Sequence, residues 1–264
     1  MIDFLHSINL LYSISGFVVG GLVGFTGVGG GSLMTPLLVL WFGVAPATAV
    51  GTDLLYAAIT KSNGTLIHSL NGTVEWRIAG RLAAGSVPAT IATLVTLSML
   101  RDSGSFAANG LITSVLGFAL ILTAIVVLFR GWLLLYIARH TDRLTERKTR
   151  LLTILLGAFV GVLVSISSVG AGAIGITVLL ALYPRLPTAR LVGSDIAHAV
   201  PLTFIAGTGH WLLGSVDWAL LASLLIGSLP GIAIGSYLAA RIPDRFLRPV
   251  LAGTLALVGA KLSI

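Results

Sequence analysis

The chain contains no cysteine, and only 9% of its 264 residues are charged. Without thiols there is no disulfide framework, no thiolate nucleophile and no thiol relay. The shortage of charge excludes more. Soluble chains carry about 25% charged residues, and 16 basic plus 9 acidic side chains cannot clothe a water-soluble domain of this size. Soluble enzymes and nucleic-acid-binding proteins are therefore set aside, although a net charge of +7 would otherwise invite the second reading. In this setting the arginines read as topology signals. The opening MIDFLHSINLLYSISGF has no basic region ahead of its apolar run, so it reads as a first membrane segment and not as a cleaved signal.

What is abundant is apolar surface: 56% hydrophobic residues, 32 glycines and a mean hydropathy of +1.03. Apolar stretches fall at 8–43, 46–70, 76–99, 106–138, 151–183, 187–212, 217–240 and 245–263. About 20 helical residues cross the roughly 30 Å hydrocarbon layer, where every backbone polar group must find an internal partner, so these stretches are predicted to be helices. The charged island 139–150 divides the chain into a first membrane repeat (1–138), a cytoplasmic linker (139–150) and a second membrane repeat (151–264).

The two parts repeat one another. Residues 50–88 align without gaps to 192–230 at a constant offset of 142, with 13 of 39 positions identical. Gly51/Gly193, Asp53/Asp195, His68/His210, Gly72/Gly214, Trp76/Trp218, Gly85/Gly227 and Pro88/Pro230 are among them, too specific a set for shared hydrophobicity. Upstream, at an offset of 141, Val28-Gly29-Gly30-Gly31 meets Val169-Gly170-Ala171-Gly172. Duplication of this kind underlies many secondary transporters.

Both glycine clusters interrupt stretches too long for a single crossing. The second arm of the first, 32–43, reaches only about 18 Å. Each stretch is thus expected to be a helical hairpin that dips into the membrane and returns, with Gly27, Gly29, Gly30 and Gly31 at one tip and Ser167, Ser168, Gly170 and Gly172 at the other. Each half then adds three full crossings, an odd number, which gives an all-α polytopic membrane protein of two inverted repeats. Placing the linker in the cytoplasm puts 13 of the 16 basic residues on or near that side and both termini outside. A parallel repeat would scatter them.

GFVVGGLVGFTGVGGGSLMTPLL, AVGTDLLYAAITKSNGTLIH and VGSDIAHAVPLTFIAGTGHW together resemble the sulfite exporter TauE/SafE family of membrane permeases, over nearly the whole chain. The resemblance implies export or exchange of small anionic sulfur compounds, such as sulfite and organosulfonates, across the inner (cytoplasmic) membrane.

The residues agree with an anion as substrate. The second arm of each hairpin starts a helix inside the membrane, where its free N–H groups and dipole favour negative charge. Glycines permit close backbone approach, and Thr26, Ser32, Ser167 and Ser168 offer hydroxyls; the alternative is that the glycines serve close helix packing. Lys61, about 22 Å into its helix, is a costly intramembrane cation that either attracts the anion or forms a structural pair. Its repeat partner is Thr203. Asp53 and Asp195 either couple transport to protons or hold the neighbouring hairpin through its backbone N–H groups, and the structural role suits an anion site better. His198 lies one turn beyond Asp195. His68 and His210 read as helix-end residues, and Ser62, Asn63 and Asn109 as polar groups along or beside the path. No metal-ligand spacing occurs and no cofactor is expected. The expected partners are the small anion, the lipid bilayer and, as an open option, further copies of the chain.

Two other classes remain. A passive anion channel shares the electrostatics without alternating access. An intramembrane hydrolase with Ser32 as nucleophile and His68 or His198 as base leaves the paired hairpins and duplicated aspartates without a purpose.

Overall fold

The computed structural model describes residues 10–26, 31–102, 105–141 and 145–239. Their regular structure is entirely helical: α1 (Leu10–Thr26), α2 (Gly31–Leu40), α3 (Pro46–Leu70), α4 (Trp76–Asp102), α5 (Ser105–Thr141), α6 (Glu146–Ser167), α7 (Ala171–Leu182), α8 (Thr188–Leu212) and α9 (Trp218–Ala239). Trp76–Leu100, Gly110–Trp132, Glu146–Ser167 and Thr188–Leu212 are long and apolar enough to cross a membrane. Helix α3 has the length but carries Asp53, Lys61, Ser62 and Asn63. The first two turns of α3 beyond its start are buried against neighbouring helices.

The repeat seen in the sequence sets the helix ends. Helices α3 and α8 begin and end at positions 142 apart, as do the starts of α4 and α9. Both α3 and α8 stop on a glycine in the left-handed region, Gly72 (φ +64°) and Gly214 (φ +67°). There the amides of Gly72 and Thr73 return to the carbonyls of Ser69 and His68, and those of Gly214 and Ser215 to Trp211 and His210. A Cβ at such a φ is strained, which is why glycine terminates both helices.

Packing is exchanged between the halves. Helix α1 lies along α9 of the second half, and α6 lies along α4 of the first. Both pairs are parallel and meet backbone to backbone. A methyl group on Gly16 would strike the Leu224 carbonyl oxygen, and on Gly157 that of Leu82; Gly20 faces Ser228 as Gly161 faces Ser86. Gly227 lies against the Ser13 carbonyl as Gly85 lies against that of Ile154. Lipid gives helices no hydrophobic reason to associate, so contact between bare backbones supplies the dispersion that holds these pairs.

The central pair, α3 and α8, is antiparallel. Gly51 near the start of α3 abuts Ser215 and His210 at the end of α8, and Gly193 abuts Thr73 and His68 in the same way. Two further bonds repeat the relation: the Asp217 amide donates to Thr52 Oγ1 (3.1 Å), and the Glu75 amide to Ser194 Oγ (2.8 Å).

The second hairpin is also visible. The Tyr183 hydroxyl, just past α7, bonds Thr153 Oγ1 of α6 (2.8 Å), whose own proton goes to the Thr149 carbonyl (2.8 Å). Arg81 Nη1 donates to Tyr183 (3.2 Å) and Arg81 Nη2 to Glu146 (3.3 Å). The outer ends of α6 and α7 therefore lie together, and the tip sits about 21 Å from the Thr153 level by helix rise. In the first half the equivalent positions hold Tyr12 and Phe42, whose rings meet edge to face at 4.9 Å.

Replacing Gly85 or Gly227 by leucine should destabilise the fold by about 1–3 kcal/mol or more, the usual cost of overpacking. Gly80→Ala, which meets nothing within 4 Å, should not. Thermal melting of the detergent-purified variants checks this, and equal melting temperatures for all three would contradict backbone contact as the source of cohesion.

Candidate functional site

Helices α3 and α8 carry the buried polar residues of the bundle, and Asp53 of α3 meets the tip of the second hairpin. Asp53 is fully buried. Its Oδ2 accepts Thr35 Oγ1 of α2 (2.5 Å) and Ser168 Oγ of the second tip (2.9 Å), while Oδ1 has no partner. One carboxylate oxygen thus ties the return arm of the first hairpin to the tip of the second. Asp53 holds the hairpins through two hydroxyls, and the backbone N–H of Thr35 also acts on its carboxylate.

Asp195 occupies the matching place on α8 and is 6% exposed. Gly175 of α7 faces it, and a Cβ there would meet Asp195 Oδ1 at 2.5 Å. Among the described residues Asp195 makes no hydrogen bond and no close ion pair. His198, one turn on, is 2% exposed; its Nε2 bonds Ser86 Oγ (2.8 Å) and its Nδ1 is unpartnered. Lys61 is partly buried and forms neither hydrogen bond nor close ion pair among the described residues. It lies within electrostatic range of Asp53, Asp195 and His198. Buried polar groups are normally paired, and intramembrane charges without partners mark a path or a binding site.

The second tip carries the backbone for such a site. Ser168 adopts a left-handed conformation (φ 59°) and Gly170, the N-cap of α7, sits at φ +103° with no side-chain cap. Helix α7 therefore opens with free N–H groups on Ala171, Gly172 and Ala173, since Ile174 N is the first to return to Gly170 O (3.1 Å). The Ser167 hydroxyl donates to Leu163 O (2.7 Å) and accepts Val169 N (3.2 Å), so the hydroxyls of Ser167 and Ser168 both brace the tip. In the first half, Gly31 is the first residue of α2. Gly27, Gly29 and Gly30, and the side chains of Thr26 and Ser32, lie outside the described residues.

The other polar residues fall elsewhere. His68 Nδ1 bonds Thr73 Oγ1 (2.8 Å), closing the end of α3. His210, read from the sequence as a helix-end residue, is 1% exposed, and its Nε2–H donates to the Ser165 carbonyl of α6 (2.8 Å). Ser62 and Asn63 are exposed on α3, and Ser62 returns its hydroxyl to Ala58 O (2.7 Å); the side chain of Asn109 lies outside the described residues. Thr35, Ser86 and Gly175 belong to the site and were not singled out from sequence. Ser86 recurs as Ser228, which is a usable signal; Thr35 and Gly175 are matched by Ile176 and Met34 and carry none. Among the described residues no three His, Asp or Glu side chains converge as metal ligands would.

The sulfite exporter TauE/SafE family matches residues 12–262. The chain belongs to this family. Among its TauE/SafE-like relatives, the probable membrane transporter protein YjnA of Bacillus subtilis is 37% identical over 94% of this chain and 97% of its own length. YdhB of the same organism, another probable membrane transporter protein, is 29% identical over 91% and 97%. A probable membrane transporter protein of Methanocaldococcus jannaschii is 26% identical over 97% and 96%. No solved structure matches the chain. This member of the TauE/SafE family is a multi-pass membrane transporter, and the unpaired charges between α3, α7 and α8 lie at the heart of its bundle.

Because both hydroxyls donate to one oxygen of Asp53, Asp53→Asn should keep the latch between the hairpins, with its amide oxygen in place of Oδ2. Asp53→Leu should orphan both hydroxyls and lower stability by about 1–3 kcal/mol. Melting temperature reads the difference; an Asn variant as unstable as Leu would show that charge, not the shared acceptor, holds the tips.

Proposed function

We propose that this transporter exports a small anionic sulfur compound, sulfite or an organosulfonate, by alternating access around a site near the membrane midplane. The observation that carries the reading is the uncapped start of α7 inside the bundle: Ser168 of the same tip bonds Asp53, and Asp53 lies within electrostatic range of Lys61, an ammonium with no close partner among the described residues. Amide N–H groups and a helix dipole suit an oxyanion, and glycines at 170 and 172 let it approach the backbone. Gly27, Gly29, Gly30 and Gly31, with Thr26 and Ser32, would form the matching wall from the first half.

Inverted repeats are the architecture from which alternating access follows. In support, α3 and α8, equivalent in sequence, run antiparallel. Arg81, Arg190, Glu75 and Glu146 gather at one end, with Arg190 Nη1 on Glu75 Oε1 (2.6 Å). With this end in the cytoplasm, the basic residues of the linker and of the loop at 183–187 share its side, and both termini lie outside the inner membrane.

Flux of labelled sulfite and of 2-hydroxyethanesulfonate into proteoliposomes tests the reading. Saturable flux of at least one is expected. Lys61→Ala should raise the half-saturation concentration at least ten-fold with the melting temperature kept, and Lys61→Arg should recover most of it. Unchanged saturation in the alanine variant would remove Lys61 from the site.

A further inference from the structure

Asp53 and Asp195 are one residue in two copies, yet the structure employs them differently. Asp53 has two hydroxyl donors from two hairpins. At Asp195 the donor corresponding to Thr35 is replaced by Ile176, and the residue facing the carboxylate is Gly175, which has no side chain to offer. A buried carboxylate without a donor is held in its charged form by a cation. A Cβ on Gly64 of α3 would meet Ile196 of α8 at 3.4 Å, which brings the turn of Lys61 against that of Asp195, and Lys61 is the cation that acts on Asp195 among the described residues. The groups around it can be named. From α3 come Lys61 and Asp53, and from α8 itself His198, whose Nδ1 is unpartnered. Helix α7 has no charged residue, and the charges of α6 lie in its first two turns. Arg81 and Arg190, at the cytoplasmic end of the proposed topology, are engaged by Glu146 and Glu75.

Resting on the anion-transport reading above, we propose that Asp195 is the proton site of this transporter, ionised while Lys61 is free of substrate and protonated when an anion occupies Lys61. An anion that draws on the ammonium removes the one cation that balances Asp195 among the described residues and adds negative charge near it. Both effects favour the neutral acid, so anion and proton bind cooperatively. At loading, Asp195 takes one proton from hydronium, leaving water; at release the proton returns to water on the opposite side, and no bond within the anion changes. A monoanion then crosses as a neutral pair. A dianion leaves carrying one net negative charge, which an inside-negative potential still expels. Asp53, whose donors persist whatever occupies Lys61, remains the latch.

Two measurements on the purified full-length protein test this. Infrared difference spectra between neutral and acidic pH, in the presence of sulfite, should show a protonated-carboxyl band that vanishes in Asp195→Asn, persists in Asp53→Asn, and returns at a shifted frequency in Asp195→Glu. A band unaffected by Asp195→Asn overturns the proposal. In proteoliposomes with the potential clamped at zero, an inside-acid gradient should speed 2-hydroxyethanesulfonate efflux at least five-fold. Asp53→Asn should keep that response and Asp195→Asn should lose it; an equal response in Asp195→Asn also overturns the proposal. A wild type that moves neither sulfite nor the sulfonate, yet shows the Asp195 band, rejects the transport reading and retains the proton site.

Discussion

Backbone-to-backbone contact at glycine is what the rest of this molecule depends on. Gly16, Gly20, Gly227 and Gly231 join α1 to α9, and Gly85, Gly157 and Gly161 join α4 to α6, each pair taking one helix from either half. In lipid no hydrophobic gain holds helices together, and a single Cβ at these places would separate the pair. Because the partners are exchanged, neither half can complete its own packing. The exchanged pairs pack against α3 and α8, which carry the buried charged residues: α9 against α3 and α4 against α8.

Within this frame the polar groups divide into those that are satisfied and those that are left open. His68, His210, Ser165, Ser167 and Thr153 all close onto backbone carbonyls or hydroxyls, which is the ordinary fate of polar atoms in a low-dielectric interior. Lys61, Asp195, the Nδ1 of His198 and the Oδ1 of Asp53 close onto nothing among the described residues. These open groups are where the two halves differ most. Lys61 is matched by Thr203, His198 by Tyr56, Gly175 by Met34 and Ser168 by Gly27. The scaffold keeps its symmetry through glycine and serine, and the site departs from it through charge.

Much of the scaffold is legible from local chemistry. Hydropathy marks the helices, glycine clusters mark the breaks, and the offset of 142 relates the ends of α3 and α8. Lys61 and the paired aspartates stand out because charge in an apolar helix is rare. What stays hidden depends on distance along the chain. The bond from Ser168 to Asp53 joins residues 115 apart, and no periodicity announces it. Beside the backbone N–H of Thr35, the donors to Asp53 include two hydroxyls that the sequence does not announce, since the tip amide of Ser168 is already returned to Val164 O (2.7 Å). His210 reads as a helix-end residue, and only the packing of α6 across α8 turns it inward. Thr35 and Gly175 are ordinary residues in sequence, and their meaning arises solely from which aspartate each one faces.

In the proposed mechanism an oxyanion rests between the opening turn of α7 and the ammonium of Lys61. Selenite, a sulfite analogue with a strong anomalous signal, locates it directly in crystals of the transporter. The account predicts one selenium peak within hydrogen-bond reach of the amides of Ala171 to Ala173 and of Lys61 Nζ. A peak confined to the surface arginines, or none at concentrations that block sulfite flux, would contradict it.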